Sequence, residues 1–249
     1  SLLELFIKNN KCKILFITNS DKHTILKKRI IESLNAIKLL GGDETNIDLL
    51  GYPDSLIING DHFYNSKKDD SDLYTYGTDK IKEYCFKKYN KHFLVNKNNL
   101  INTCQDYLLD FNPDYIFTCG FDDHCDHRLT LMLFFDVINK IIYNKIENFK
   151  PIIYVGFAYA YTYNGPEDFY SINIIKSVKN IENERLPFFK WELRQRFPIY
   201  DQKYLNLNKN KNMMYRLLDC YKSQKMSKRF ERIQNGDLVY WELSNLEII

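Results

Sequence analysis

The sequence predicts an α/β fold, a mostly parallel Rossmann-like sheet with helices on both faces, and three observations carry that expectation. Apolar runs of strand length alternate with segments of helical period along the first 158 residues. The runs at 12–18 (C-K-I-L-F-I-T) and 151–155 (P-I-I-Y-V) are nearly continuous in apolar residues, as strands covered on both faces are. The densest group of imidazoles and carboxylates, residues 119–127, falls between a short apolar strand and a helix. Open α/β sheets bind their ligands there, beyond the carboxyl ends of the strands.

In order, 2–9 read as the tail of a helix, with Leu2, Leu3, Leu5 and Phe6 on one side, and 12–18 as a strand running into the loop Asn19-Ser20-Asp21. Residues 25–40 are an amphipathic helix, because Ile30, Leu34, Ile37 and Leu40 recur at helical spacing and Gly41-Gly42 supplies its stop. A short strand, 47–50, leads to Gly51-Tyr52-Pro53-Asp54. The polar stretch 55–98 is too long for a plain connection and reads as a flap or cover over a site. A helix at 99–110 precedes the strand 115–118, and the loop 119–126 follows it. From about His127 a buried helix reaches Tyr143, and 151–155 make a further strand. Beyond residue 158 the alternation gives way to an aromatic-rich extension, 159–249, with a helix near 213–221. That extension is expected to pack on the same domain.

Composition narrows the function classes. A 45% hydrophobic content supports a sizeable core, and a net charge of +3 with lysines scattered among acids gives no electrostatic case for nucleic acid. Apolar runs such as 30–40 are broken by Glu32 and Lys38, so no membrane span is expected. The opening S-L-L-E-L-F-I has neither a basic n-region nor a small-residue cleavage site. The six cysteines, Cys12, Cys85, Cys104, Cys119, Cys125 and Cys220, stand in unrelated contexts and read as reduced thiols of a cytoplasmic protein.

Burying imidazoles and carboxylates together is costly unless they bind a metal or move protons. Asp122, Asp123, His124, Asp126 and His127 therefore form the candidate site. Two loop histidines with ordinary hydrogen bonds are the bland alternative. A structural zinc knot through Cys119, His124, Cys125 and His127 fits none of the usual ligand spacings. Arg29 reads blandly as an ion pair with Glu32 at i+3, and Asp54 after Pro53 as a turn starter. Asp21 and His23 follow a strand but read as surface residues. The period-two run Tyr159, Tyr161, Tyr163 suits a core strand or a sugar-stacking wall equally well.

Four segments together resemble the PIG-L/LmbE-like N-acetylglucosaminyl de-N-acetylase family. They are Ile14-Leu15-Phe16-Ile17-Thr18; the Arg29-Ile30-Ile31-Glu32 helix ending in Leu40-Gly41; Leu50-Gly51-Tyr52-Pro53-Asp54; and Pro113-Asp114-Tyr115-Ile116-Phe117-Thr118. Asp123-His124-Cys125-Asp126-His127-Arg128, after the last of these, is similar to the family's D-x-H-x-D-H-R. Tyr221-Lys222-Ser223-Gln224, Asn235-Gly236-Asp237 and Trp241-Glu242 resemble the end of some bacterial members. The likeness spans most of the chain.

The resemblance implies a zinc-dependent hydrolase that removes the N-acetyl group from an N-acetylglucosamine-type sugar or conjugate. His127 becomes a zinc ligand, His124 the imidazole that stabilises the developing oxyanion, and Asp126 the carboxylate that orients an imidazole. Arg29 and Asp54 become substrate-binding residues, with Glu32 packed behind Arg29. The family opens with a strand and H-P-D-D-E, which carry two more ligands and the general base. No histidine here is followed by Pro-Asp-Asp. The resemblance therefore implies a truncated enzyme lacking its first, central strand and inactive in this form, with a slot left between the strands at 12–18 and 115–118. The second reading is a non-catalytic carbohydrate-binding member. A third, a metal-dependent nucleotide-sugar transferase using Asp122-Asp123, leaves the two histidines unexplained.

Overall fold

A computed structural model of the chain describes residues 2–9, 11–19, 23–54, 57–58, 61–62, 64, 73–120, 124–146, 148–156, 193–230 and 237–243. Helix α1 (Leu2–Asn9) leads into strand β1 (Ile14–Thr18), then α2 (His23–Leu39) and β2 (Ile47–Tyr52). A small antiparallel pair, β3 (Ile57–Ile58) and β4 (Asp61–His62), precedes α3 (Tyr84–Tyr89) and α4 (Lys97–Phe111). Strand β5 (Tyr115–Cys119), α5 (Cys125–Tyr143) and β6 (Ile152–Gly156) follow. Beyond residue 158 come β7 (Gln195–Pro198), α6 (Gln202–Leu205), α7 (Met213–Asp219) and β8 (Asp237–Glu242).

Local signals fix several of these bounds. α2 stops because Gly41 takes φ +88°, so its N–H reaches Lys38 O and the Gly42 N–H reaches Ile37 O. That pair of bonds satisfies two carbonyls the helix end would otherwise strand. α4 starts at Asn96, whose side chain accepts from Asn99 N, and stops at Asn112 in the left-handed region with Pro113 behind it.

The strands form two main sheets. β1 pairs with β2 in parallel, and the second sheet has the order β5-β6-β8-β7. β5 and β6 are parallel, whereas β8 is antiparallel to both of its neighbours. Parity along the strands sorts the core into two layers. Ile14 and Phe16 of β1 pack with Ile47 and Leu49 of β2 against Leu26, Ile30, Leu34 and Ile37 of α2, and Ile7 of α1 joins them. The opposite parity, Leu15, Ile17, Leu50, Tyr52, Ile116, Ile153, Val155 and Trp241, packs against α4 and α5 through Leu100, Cys104, Leu133 and Val137. Helices thus cover both sides of an α/β fold.

The structure departs from the sequence expectations at four places. The sheet is not mostly parallel in its described part, because β7 and β8 extend β6 on antiparallel terms. β1 was expected to be fully covered, yet all five of its residues are half-buried, while β2 is buried throughout; β1 has a neighbour on one edge alone among the described residues. The helix expected from His127 begins at Cys125, since His124 already has the extended geometry of an N-cap. The stretch 55–98 is not simply a polar cover. In its described part Thr75, Thr78, Ile81, Glu83, Cys85 and Val95 are buried, and Tyr76 N donates to Gly51 O.

Buried carboxylates tie α1 and α2 to the segment 203–223. Glu4 of α1 accepts from Tyr204 Oη at 2.6 Å and from Lys203 Nζ at 2.8 Å. Glu32 of α2 accepts from Ser223 N at 2.7 Å and Ser223 Oγ at 2.6 Å. No helix among the described residues is long and apolar enough to cross a membrane.

Candidate functional site

The site is built at the start of α5. β5 ends at Cys119, and the buried Gly120 follows with the flank of α5 directly against it. A Cβ on Gly120 would collide with Leu131 Cβ and sit 3.1 Å from its Cγ and 3.2 Å from its Cδ2. Only glycine lets the helix come this close, which sets the position of its first turn. That turn carries His124, Cys125, Asp126 and His127.

The two imidazoles lie together, with ring centroids 4.6 Å apart and an interplanar angle of 32°. Both are half-buried, so each retains a face toward solvent. Asp126 is buried, 6% exposed, and accepts from Cys125 Sγ at 3.7 Å. A carboxylate in the first turn of a helix is favoured by the backbone N–H groups there. Thr130 Oγ1 donates to Asp126 O at 2.7 Å and closes the turn.

A second pair lies beyond the carboxyl end of β2. Arg29 Nη1 on α2 stands 3.7 Å from Asp54 Oδ2. That separation is an ion pair and too long for a hydrogen bond. The local partner suggested by spacing, Glu32, is committed to Ser223. Arg29 Nε is buried with no hydrogen-bond partner among the described residues, an uncommon state for a guanidinium nitrogen. The structure therefore brings Arg29 to Asp54 and His124 to His127, with Asp126 beside the latter pair.

Sequence reasoning passed over three residues. Asn19 was read as plain loop, yet it is buried; its N–H donates to Tyr52 O and its Nδ2 to Tyr76 O at 2.6 Å. It ties the carboxyl ends of β1 and β2 to the segment after residue 73, and its Oδ1 is buried with no hydrogen-bond partner among the described residues. Its position directly after an apolar strand was the available signal. Glu83 is wholly buried with its Oε1 in hydrogen-bond contact with His92 Nδ1, a pairing no spacing rule announces. Gly120 was hidden in a loop assignment. Asp21, Asp122, Asp123 and the Tyr159–Tyr163 run lie outside the described residues, as does the side chain of His23.

Zinc asks for three protein ligands and an open fourth position. Among the described residues no group of three or more His, Cys, Asp or Glu side chains is placed to hold a metal ion. The first turn of α5 offers imidazoles that could serve as part of such a set. Chemically, the arrangement presents paired imidazoles for coordination or proton transfer, and a cation–carboxylate pair suited to sugar hydroxyls. Comparison of the chain with family models, with curated proteins and with solved structures finds no match.

Proposed function

We propose that this chain carries most of a Rossmann-like, zinc-dependent de-N-acetylase of the PIG-L/LmbE kind, acting on an N-acetylglucosamine-type sugar or conjugate. The observation that carries the reading is the first turn of α5, where His124 and His127 stand 4.6 Å apart beyond the end of a parallel strand. The D-x-H-x-D-H-R likeness of the sequence falls on that same turn. Arg29 and Asp54, the other residues the likeness singles out, are themselves brought together.

In this reading His127 is one ligand to the metal, which when bound supplies an activated water for amide hydrolysis. The two remaining ligands belong to an H-P-D-D segment that the 249 residues do not contain. The His124 ring N–H donates a hydrogen bond to the oxygen on which charge develops. Asp126, buried and directly before His127 in sequence, orients an imidazole of the pair. Arg29 donates to, and Asp54 accepts from, hydroxyls of the sugar. The protein acts in the cytoplasm on this reading, with no nucleic-acid partner.

The test uses the polypeptide extended upstream of Ser1 in its natural reading frame. Chelator-sensitive acetate release from N-acetylglucosamine conjugates is expected, with zinc measured by elemental analysis. Absence of both zinc and acetate release in that longer protein overturns the proposal.

A further inference from the structure

Charge is spread unevenly along the chain. Residues 202–230 hold eight Lys and Arg against one acid, Asp219, although the whole chain is only +3. Everything outside that stretch is therefore net negative, and an asymmetry of this kind points to a partner of opposite sign. One of the eight, Lys203, is turned inward on Glu4, and Asp219 is held by Lys222 Nζ at 2.5 Å. Folding gathers the others. The 3-10 turns Lys209–Lys211 and Met226–Arg229 both pack on α7, while α7 and the turn Lys222–Gln224 pack on α2. A helix as short as α7 is about 10 Å long. Lys209, Lys211, Arg216, Lys222, Lys225 and Lys228 therefore surround one short rod, and all six are exposed. The inner side of the same unit is fixed: Tyr204, Leu218 and Phe230 are buried, and Tyr215 meets Phe230 edge-on at 5.4 Å. Ser223 joins the unit to Glu32 of α2. It is a rigid platform with its cations outward.

One apolar side chain breaks that division. Leu207, two residues before Lys209, is 70% exposed. A lone exposed leucine is ordinary on a surface, but the loop that carries this one is held still. Asn212 is wholly buried. Its Nδ2 donates to Tyr204 O at 2.9 Å and to Asn206 O at 2.7 Å, and its Oδ1 accepts from Tyr215 N at 3.1 Å. Asn206 Oδ1 accepts from Asn208 N at 2.9 Å, and Asn208 Oδ1 from Asn210 N at 3.0 Å. The backbone on both sides of Leu207 is thereby fixed, so burying the leucine against a partner costs little ordering of the loop.

We propose that this cationic platform, with Leu207 beside it, docks the protein on an anionic lipid surface. Five of the six exposed cations are lysines. Lysines beside a bilayer are drawn by the field of the acidic headgroups and need no defined geometry. Arginine, whose planar fork matches a phosphate, is the cation expected at a nucleic-acid face. The apolar element is aliphatic, which suits the acyl boundary of a bilayer and not the stacking of bases. A raised side chain also needs a matching pocket in a protein partner, whereas a bilayer admits it anywhere on its surface. The contact is attachment to a surface and involves no span. The inference stands on charge and exposure, and does not rest on the de-N-acetylase reading.

The experiment mixes the full chain with vesicles of phosphatidylcholine alone and of phosphatidylcholine with about one third phosphatidylserine. The bound fraction is measured by co-sedimentation at about 0.1 M and about 0.5 M salt. Binding to the anionic vesicles alone is expected, and its loss at the higher salt. The triple variant Lys211→Gln/Lys225→Gln/Lys228→Gln should weaken binding about a hundredfold, from about fivefold for each charge. Leu207→Ala should weaken it about tenfold. All four positions are exposed, so both variants should keep the urea midpoint of the parent. If the triple variant is unfolded, the salt series and Leu207→Ala carry the test. No binding to anionic vesicles at the lower salt overturns the proposal, and so does equal binding to both kinds of vesicle. Binding that neither variant alters puts the contact on another face and also overturns it. Duplex DNA or polyglutamate bound at least as tightly, with Leu207→Ala without effect, overturns it in favour of a nucleic acid or an acidic protein. Acetate release plays no part in this readout, so failure here and failure of the proposed reaction are told apart.

Discussion

Gly120→Ala tests how the structure places the candidate site. The added Cβ would fall on Leu131 Cβ and lie 3.1 Å from Cγ, well inside the 3.5–4.0 Å at which carbon atoms rest together. Leu131 is buried on α5, so relief requires the start of that helix to retreat by about 1 Å. Overpacking of this kind costs about 1–3 kcal/mol, read as a lowered midpoint in urea with an unchanged slope. The retreat also carries His124 and His127 with it, since both lie on the helix's first turn. Leu131→Ala removes Cγ and Cδ2 but keeps Cβ, the atom in collision. The double variant Gly120→Ala/Leu131→Ala should therefore not recover the stability of Leu131→Ala alone. A Gly120→Ala protein within about 0.5 kcal/mol of the parent, or full recovery in the double variant, would refute this account of how α5 is seated.

Glu32→Ala removes the acceptor of two hydrogen bonds from Ser223; a loss of about 1–3 kcal/mol is expected, with faster proteolysis near 221–225, and an unchanged cleavage pattern would count against the tie. Burial by itself would raise the Glu4 carboxyl, but the bonds from Lys203, Lys8 and Tyr204 outweigh it and hold it at about 2. A carboxyl lowered on folding contributes stability above its unfolded value, near 4.5, and loses it as pH falls toward 2. Glu4→Gln should flatten the acid limb of a stability–pH curve between those values, and an unaltered limb refutes the assignment. In the protein extended upstream of Ser1, His127→Ala should abolish zinc binding, whereas His124→Ala should retain zinc and lower turnover. Zinc loss in the second variant means that the two roles are exchanged. Residues 1–249 alone should release no acetate from N-acetylglucosamine conjugates, and chelator-sensitive release by them refutes the incomplete ligand set.

The sequence by itself determined the elements whose signal is local. The 3.6-residue spacing of Ile30, Leu34 and Ile37 with Gly41-Gly42 at its end is α2 and its cap, since period and turn chemistry act within a few residues. Asn112-Pro113 likewise ends α4 and opens β5. The nearness of His124 and His127 was not legible, because the sequence placed His124 in a loop; it follows only from the helix starting at Cys125, where i and i+3 share a face.

What needed the tertiary structure is everything that depends on a partner distant in sequence. Residues 195–198 carry little strand signal, and 237–242, though rich in β-formers at Val239, Tyr240 and Trp241, name no partner; they become β7 and β8 because β6 offers an edge to pair with. Arg29 had a local partner in Glu32, yet folding gave Arg29 to Asp54 and Glu32 to Ser223, 191 residues away. β1 and β2 are both apolar runs, but only β2 is fully buried. Burial depends on which neighbours occupy a strand's edges and faces, and a strand's own residues do not encode whether both edges are filled.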